Sequence, residues 1–170
     1  MSSYIKLIIF IAVLILISAA VIFVESSTDD VNKSMHIISD GIVTGDSEYN
    51  EAVDLVNSKR FSKAMEKAES AGDNFNSSLK TLHKIRNNSP DINDVHSKYI
   101  DNVISEVEFK LQAVSLLEEA IESFKIHSNY TGTNYANQAN DLMNQAVEYQ
   151  NIRDSIVQNN SDLFKQDFNI

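Results

Sequence analysis

The chain has no cysteine, no tryptophan, one proline and four glycines in 170 residues. Without cysteine there can be no disulfide, thiolate zinc site, iron–sulfur cluster or cysteine nucleophile. So few turn-forming residues cannot separate the many short strands of an all-β sandwich or barrel. Basic residues are scarce too: 14 Lys and Arg stand against 24 Asp and Glu, for a net charge of -10. A surface of that sign repels phosphate backbones, so nucleic acid is not an expected partner. The length sets a prior of one domain.

Motifs that carry chemistry are missing as well. There is no GxSxG, Gly-rich phosphate loop, P-loop lysine or EF-hand loop. The histidines His36, His83, His96 and His127 form no i+3 or i+4 pair, no HExxH and no Glu-x-x-His. Each is therefore expected on a solvated or half-buried face, with no metal and no cofactor. The acids Asp29-Asp30 and Glu118-Glu119, and Glu106 near Glu108, point away from one another on a helix and read as solvated. A non-enzymatic protein is the expectation.

What the chain does have is one long apolar run. Leu7 to Val24 reads LIIFIAVLILISAAVIFV, with Ser18 its one polar residue. A helix of about 20 apolar residues spans a bilayer. Residues 1–25 are thus expected to be a transmembrane signal-anchor, with Leu7, Phe10, Leu14, Phe23 and Val24 as anchor residues and lipid around residues 7–24. Ser18-Ala19-Ala20 is spaced like a cleavage site, and a cleaved signal ending there is the alternative. The apolar run continues beyond that site, which favours the anchor. Lys6 and the terminal amine precede the run, and Glu25, Asp29 and Asp30 follow it. This charge order places the N-terminus in the cytoplasm and the C-terminal domain outside. A pilin-type leader fails at its motif, since Lys6 meets Leu7 directly and residues 7–24 hold no acid.

Beyond Glu25 the apolar residues recur at three and four, the helical period. Val31, Met35, Ile38 and Ile42 form a first stripe, which Gly41 and Gly45 are expected to end. Residues 26–46 then read as a membrane-proximal stalk or short helix, and 47–170 as an extracytoplasmic helical bundle. Its helices are expected at about 47–57, 60–86, 90–127 and 133–165, the first capped by Asp46 or Ser47. Ser89-Pro90 suits an N-cap followed by the first helical position. Asn129-Tyr130-Thr131-Gly132 is the next break, with Thr133 as the cap. The fold class is all-α: a transmembrane helix followed by an elongated antiparallel three- to four-helix bundle.

Some resemblances follow from these residues. Val56 to Met65, with Lys67-Ala68, resembles the helix turn of a tetratricopeptide repeat, and Phe61 and Ala64 would make its interhelix contact. Lys59 stands where that family has a small residue, and the 34-residue period finds no second copy. A helical bundle after an N-terminal membrane helix, with Tyr49-Asn50 early in it, is similar to the LemA family. The Arg- and Pro-containing stretch of that family is absent. The helical sensor domains of chemoreceptors share the layout but need a second membrane helix.

Sequons occur at Asn32, Asn76, Asn87, Asn129 and Asn159. Asn87 and Asn129 fall in expected loops and are the candidate glycosylation sites. Tyr99, Tyr130, Tyr135 and Tyr149 could line a groove, or sit in the core with their hydroxyls at its rim. The expectation is a single-pass interaction or scaffold module of the cell envelope. It would meet a protein partner, or a second copy, through its helix faces. The alternative is an extracytoplasmic sensory or small-ligand-binding bundle.

Overall fold

The computed structural model describes residues 20–23, 29–88 and 92–167. Leu7, Phe10, Leu14 and Val24 of the expected anchor lie outside the described residues. In chain order the elements are β1 (Ala20–Phe23), α1 (Asp29–Asn57), α2 (Phe61–Asn88), α3 (Asp94–Lys125), α4 (Asn129–Asn159) and β2 (Phe164–Asp167).

The helices alternate in direction, and each packs on the next in sequence. At 1.5 Å per residue they are about 42 to 48 Å long. β1 and β2 pair antiparallel, with Phe23 opposite Phe164. This ribbon joins the start of α1 to the end of α4 and defines one end of the bundle, the strand end. The two three-residue helix connections, 58–60 and 126–128, lie at the opposite, turn end.

The bundle is the expected all-helical one, with four long helices. Several boundaries differ, each for a physical reason. Helix α1 runs unbroken through Gly41 and Gly45. A Cβ at Gly45 would stand 2.5 Å from the Phe75 ring, and one at Gly41 would collide with the Ser78 hydroxyl. These glycines let α1 and α2 approach closely; they do not end a helix. Gly132 does the same for α4, where a Cβ would stand 2.6 Å from the Phe124 ring. Helix α4 therefore starts at Asn129, not at Thr133. The cap of α3 is Asn93, whose side chain accepts the His96 N–H at 2.9 Å. That places the start of α3 four residues beyond Pro90.

Among the described residues no helix is long and apolar enough to cross a membrane. Ala20–Phe23, the described part of the apolar run, is extended and paired. The run therefore does not continue as helix through Phe23. Val21, Ile22 and Phe23 are strand formers, and Phe23 is buried against the bundle. Phe164 likewise leaves the expected helix to enter β2.

Candidate functional site

The core stripe of α3 carries His96, Tyr99, Val103, Glu106 and Lys110 at alternating steps of three and four. All five are buried. Two of them are charged, and each finds an opposite charge on another helix. The Lys110 ammonium donates to Asp46 Oδ2 of α1 at 2.7 Å. The Arg153 guanidinium of α4 donates to Glu106 Oε2 at 2.9 Å. Lys110 Nζ also lies 2.9 Å from Glu106 Oε1, an ion pair outside hydrogen-bond geometry. The four side chains thus form one chain of charges across α1, α3 and α4, with two of each sign.

Burial sets the electrostatics. It pushes the Asp46 carboxyl up to about 6, against the attraction of Lys110. Burial alone would lower the Arg153 guanidinium, but the attraction of Glu106 and its neighbours holds it above its usual range. The Tyr99 phenol is pushed up to about 12 by burial. Burial raises Tyr49 as well. Lys110 sits over the Phe75 ring, 5.7 Å from its centroid, which adds a cation–π contact in a desolvated setting. Three buried oxygens, Asp46 Oδ1, Glu106 Oε1 and Gln150 Oε1, have no hydrogen-bond partner among the described residues, and of these Glu106 Oε1 faces the Lys110 ammonium.

At the strand end the Phe23 ring stacks on His96 at 4.1 Å and meets Tyr99 and Phe164 edge-on. The His96 Nε2–H donates to the Leu163 carbonyl at 3.0 Å. Asn32 clamps the Phe23 backbone from both sides. The Phe23 N–H donates to Asn32 Oδ1 at 2.7 Å, and Asn32 Nδ2 donates to the Phe23 carbonyl at 3.0 Å. The amide side chain replaces what a neighbouring strand would supply.

The turn end has two copies of one motif. After α1, the Lys59 N–H bonds the Val56 carbonyl and the Arg60 N–H bonds the Leu55 carbonyl. After α3, the His127 N–H bonds the Phe124 carbonyl and the Ser128 N–H bonds the Ser123 carbonyl. Both are Schellman closures, which normally place glycine at the left-handed position. Here Lys59 (φ 58°) and His127 (φ 62°) occupy it. Phe61 and Phe124 stack beneath the turns at 6.3 Å. Ile126 and Tyr130 stand outside, 72% and 90% exposed.

The expected site residues are dispersed by this arrangement. Phe61 is half-buried and Ala64 fully buried, Phe61 meeting α3. Asn87 and Asn129 are exposed, but in the last turn of α2 and the first of α4, not in loops. Asn32, a third sequon, is held in the Phe23 clamp. The four tyrosines share no groove: Tyr99 is buried near the strand end, Tyr130 projects at the turn end, and Tyr149 stacks on Phe109. Two readings are corrected. His96 is fully buried, where a solvated or half-buried face was expected. Glu106, expected in solvent, is fully buried because Arg153 and Lys110 neutralise it. Among the described residues no cluster of His, Asp and Glu could hold a metal ion.

Lys110 and Arg153 were not singled out by sequence reasoning, and Asp46 was read there only as a cap, with Ser47, for a helix that in fact runs straight through it. Each occupies an apolar slot of its own helix: Asp46 between Ile42 and Tyr49, Lys110 between Val103 and Val114, Arg153 between Ala146 and Val157. That placement is the signal that could have found them. No protein-family model matches the chain, and no match was found among curated proteins or solved structures.

Proposed function

We propose that the chain is a non-enzymatic interaction module of the cell envelope. In this reading the apolar residues ahead of β1, 7–19, hold it at a membrane, the bundle lies outside, and partners dock on its helix faces. The observation that carries the reading is the buried charge chain Asp46–Lys110–Glu106–Arg153. Its groups face one another in the middle of the bundle, so their charge is spent on joining α1, α3 and α4. A rigid spacer needs that kind of internal tie. A catalytic carboxylate or lysine must instead face a substrate. The position of β1 is compatible with such an anchor, because it ties the last residues of the apolar run to the strand end.

One observation favours a second reading, a small-ligand-binding bundle. Asp46 Oδ1 and Gln150 Oε1 are buried acceptors without a donor. A small donor molecule beside either oxygen would satisfy it. Native mass spectrometry of the purified chain checks this: a retained small molecule supports the ligand reading, and bare protein supports the spacer.

The anchor and orientation are tested by protease treatment of intact cells carrying the C-terminally tagged chain. Tag lost from a membrane-bound protein is the expected result. A protected tag would overturn the outward orientation, and tagged protein free in the medium would overturn the anchor.

A further inference from the structure

We infer that the turn end of the bundle is a contact site for an anionic lipid surface. The starting point is charge distribution. The chain carries a net -10, yet the segments 55–65 and 123–140, which build this end, contain Lys59, Arg60, Lys63 and Lys125 and no acid at all. Asp54, Glu66, Glu122 and Asp141 flank them, and Glu122 is already paired with Lys125 at 3.1 Å. Lys59, Arg60 and Lys63 are exposed and outside every ion pair among the described residues.

The second observation is apolar exposure. Ile126 and Tyr130 are the two most exposed large apolar side chains of the described structure, and both belong to the α3–α4 turn. A Tyr ring with a polar tip and an aliphatic neighbour suit the headgroup boundary of a bilayer, where amphipathic rings concentrate. Cations beside them meet lipid phosphates.

The third is backbone strain. Left-handed geometry is unfavourable for a side chain with Cβ, and glycine is the usual choice at this position of a helix end. Two separate turns at the same end keep Lys59 and His127 there instead. Glycine would close either turn, but it would remove a cation or an imidazole from the tip. Three observations of different kinds therefore meet at one end of the molecule.

A protein partner fits this surface less well. A stable interface buries roughly 800 Å² per partner, and two side chains on a narrow tip fall well short. A bilayer needs only shallow insertion with a few cations around it. The inference concerns residues 58–63 and 125–130 and does not rest on the anchor reading.

The test uses the full chain and two vesicle populations. Protein is mixed with phosphatidylcholine vesicles, which receive the apolar run if it inserts. Fluorescent vesicles containing phosphatidylserine are then added, and their association with protein is measured by co-sedimentation. Association is expected, and it should weaken with added salt. Each cation near an anionic surface contributes about fivefold in partition. Lys59→Asn with Arg60→Gln, where Asn tolerates the left-handed position, should therefore lower it roughly 25-fold. Ile126→Ser with Tyr130→Ser should lower it independently of salt. All four residues are exposed, and unchanged helical circular dichroism certifies the fold. Protein that ignores the neutral vesicles but reaches the anionic ones would uphold the inference while removing the anchor reading. Equal association with a fluorescent neutral population would overturn the inference. So would association unchanged in both variants. A sedimentation mass that doubles, and is restored by Ile126→Ser with Tyr130→Ser, would give the tip to a second copy and overturn it too.

Discussion

Asp46 and Lys110 lie 64 residues apart in the chain and 2.7 Å apart in the fold, with the Lys110 side chain wholly shut off from solvent. An ammonium there is tolerable only because Asp46 and Glu106 face it and the Phe75 ring covers it. Breaking such a tie strands a charge in a low-dielectric interior. Lys110→Met should cost about 3–5 kcal/mol, since it leaves two carboxylates to one guanidinium. Replacing Asp46, Glu106, Lys110 and Arg153 together by apolar residues of similar size should cost far less, and could stabilise. Urea midpoints of the single and quadruple variants check the contrast. A quadruple loss equal to the sum of the four single losses would show that the charges act independently.

This network also sets the pH profile. Asp46 titrates near 6 in the folded chain against 3.8 as its ordinary value. The folded state therefore binds this proton more tightly than the unfolded one. Its contribution to stability is absent well above pH 6, grows as pH falls through 6, and is complete below 3.8. Two pKa steps correspond to about 3 kcal/mol at most. The groups around Asp46 are Lys110, Glu106 and Arg153, and Lys110 opposes the shift. Glu118, raised by partial burial and by Glu69 and Glu119, works in the same direction. Unfolding free energy should therefore rise between pH 7 and 5, and Asp46→Asn should flatten that slope. A wild-type stability that falls over this range would contradict the account.

The pattern of what the sequence disclosed follows from these residues. Helical periodicity is a local property, so the stripes from Phe61 to Ile85 and from Val95 to Phe124 could be read directly. The charge network is not local. Each of its members sits in an apolar slot of its own helix, but the opposite charge it meets appears only when the three helices are assembled. Gly41, Gly45 and Gly132 misled for a related reason. Glycine in an isolated helix weakens it by up to about 1 kcal/mol, but here the missing Cβ is what admits Ser78, Phe75 and Phe124. The aromatic box around Phe23 joins residues from both ends of the chain, and no window of sequence contains them together.

Gly45 gives a direct measure of that packing. Helix propensity alone makes Gly45→Ala stabilising. The added Cβ would instead meet three atoms of the Phe75 ring at 2.5–2.9 Å, and a buried ring has little room to retreat. Overpacking of this kind costs about 1–3 kcal/mol, so the variant should be destabilised. Adding Phe75→Leu should recover part of the loss, a non-additivity that a thermal double-mutant cycle will detect. A stabilised Gly45→Ala would show that α1 and α2 can separate at no cost.

Asn32 should control whether the end of the apolar run stays on the bundle. Its side chain satisfies both backbone groups of Phe23, while the ring fills the space between His96, Tyr99 and Phe164. Asn32→Ala leaves a partly buried N–H and carbonyl without these partners, at about 1–3 kcal/mol. Phe23→Ala removes the ring itself and should cost about 3–5 kcal/mol if the bundle keeps the cavity. It should cost less if β1 simply detaches. Hydrogen exchange separates the two cases. Detachment opens amides in β1 and β2 while α2 stays protected, because the packing of α2 on α1 and α3 remains. Loss of protection throughout would instead make the ribbon part of one cooperative unit with the helices. In that case truncation of either strand should unfold the bundle.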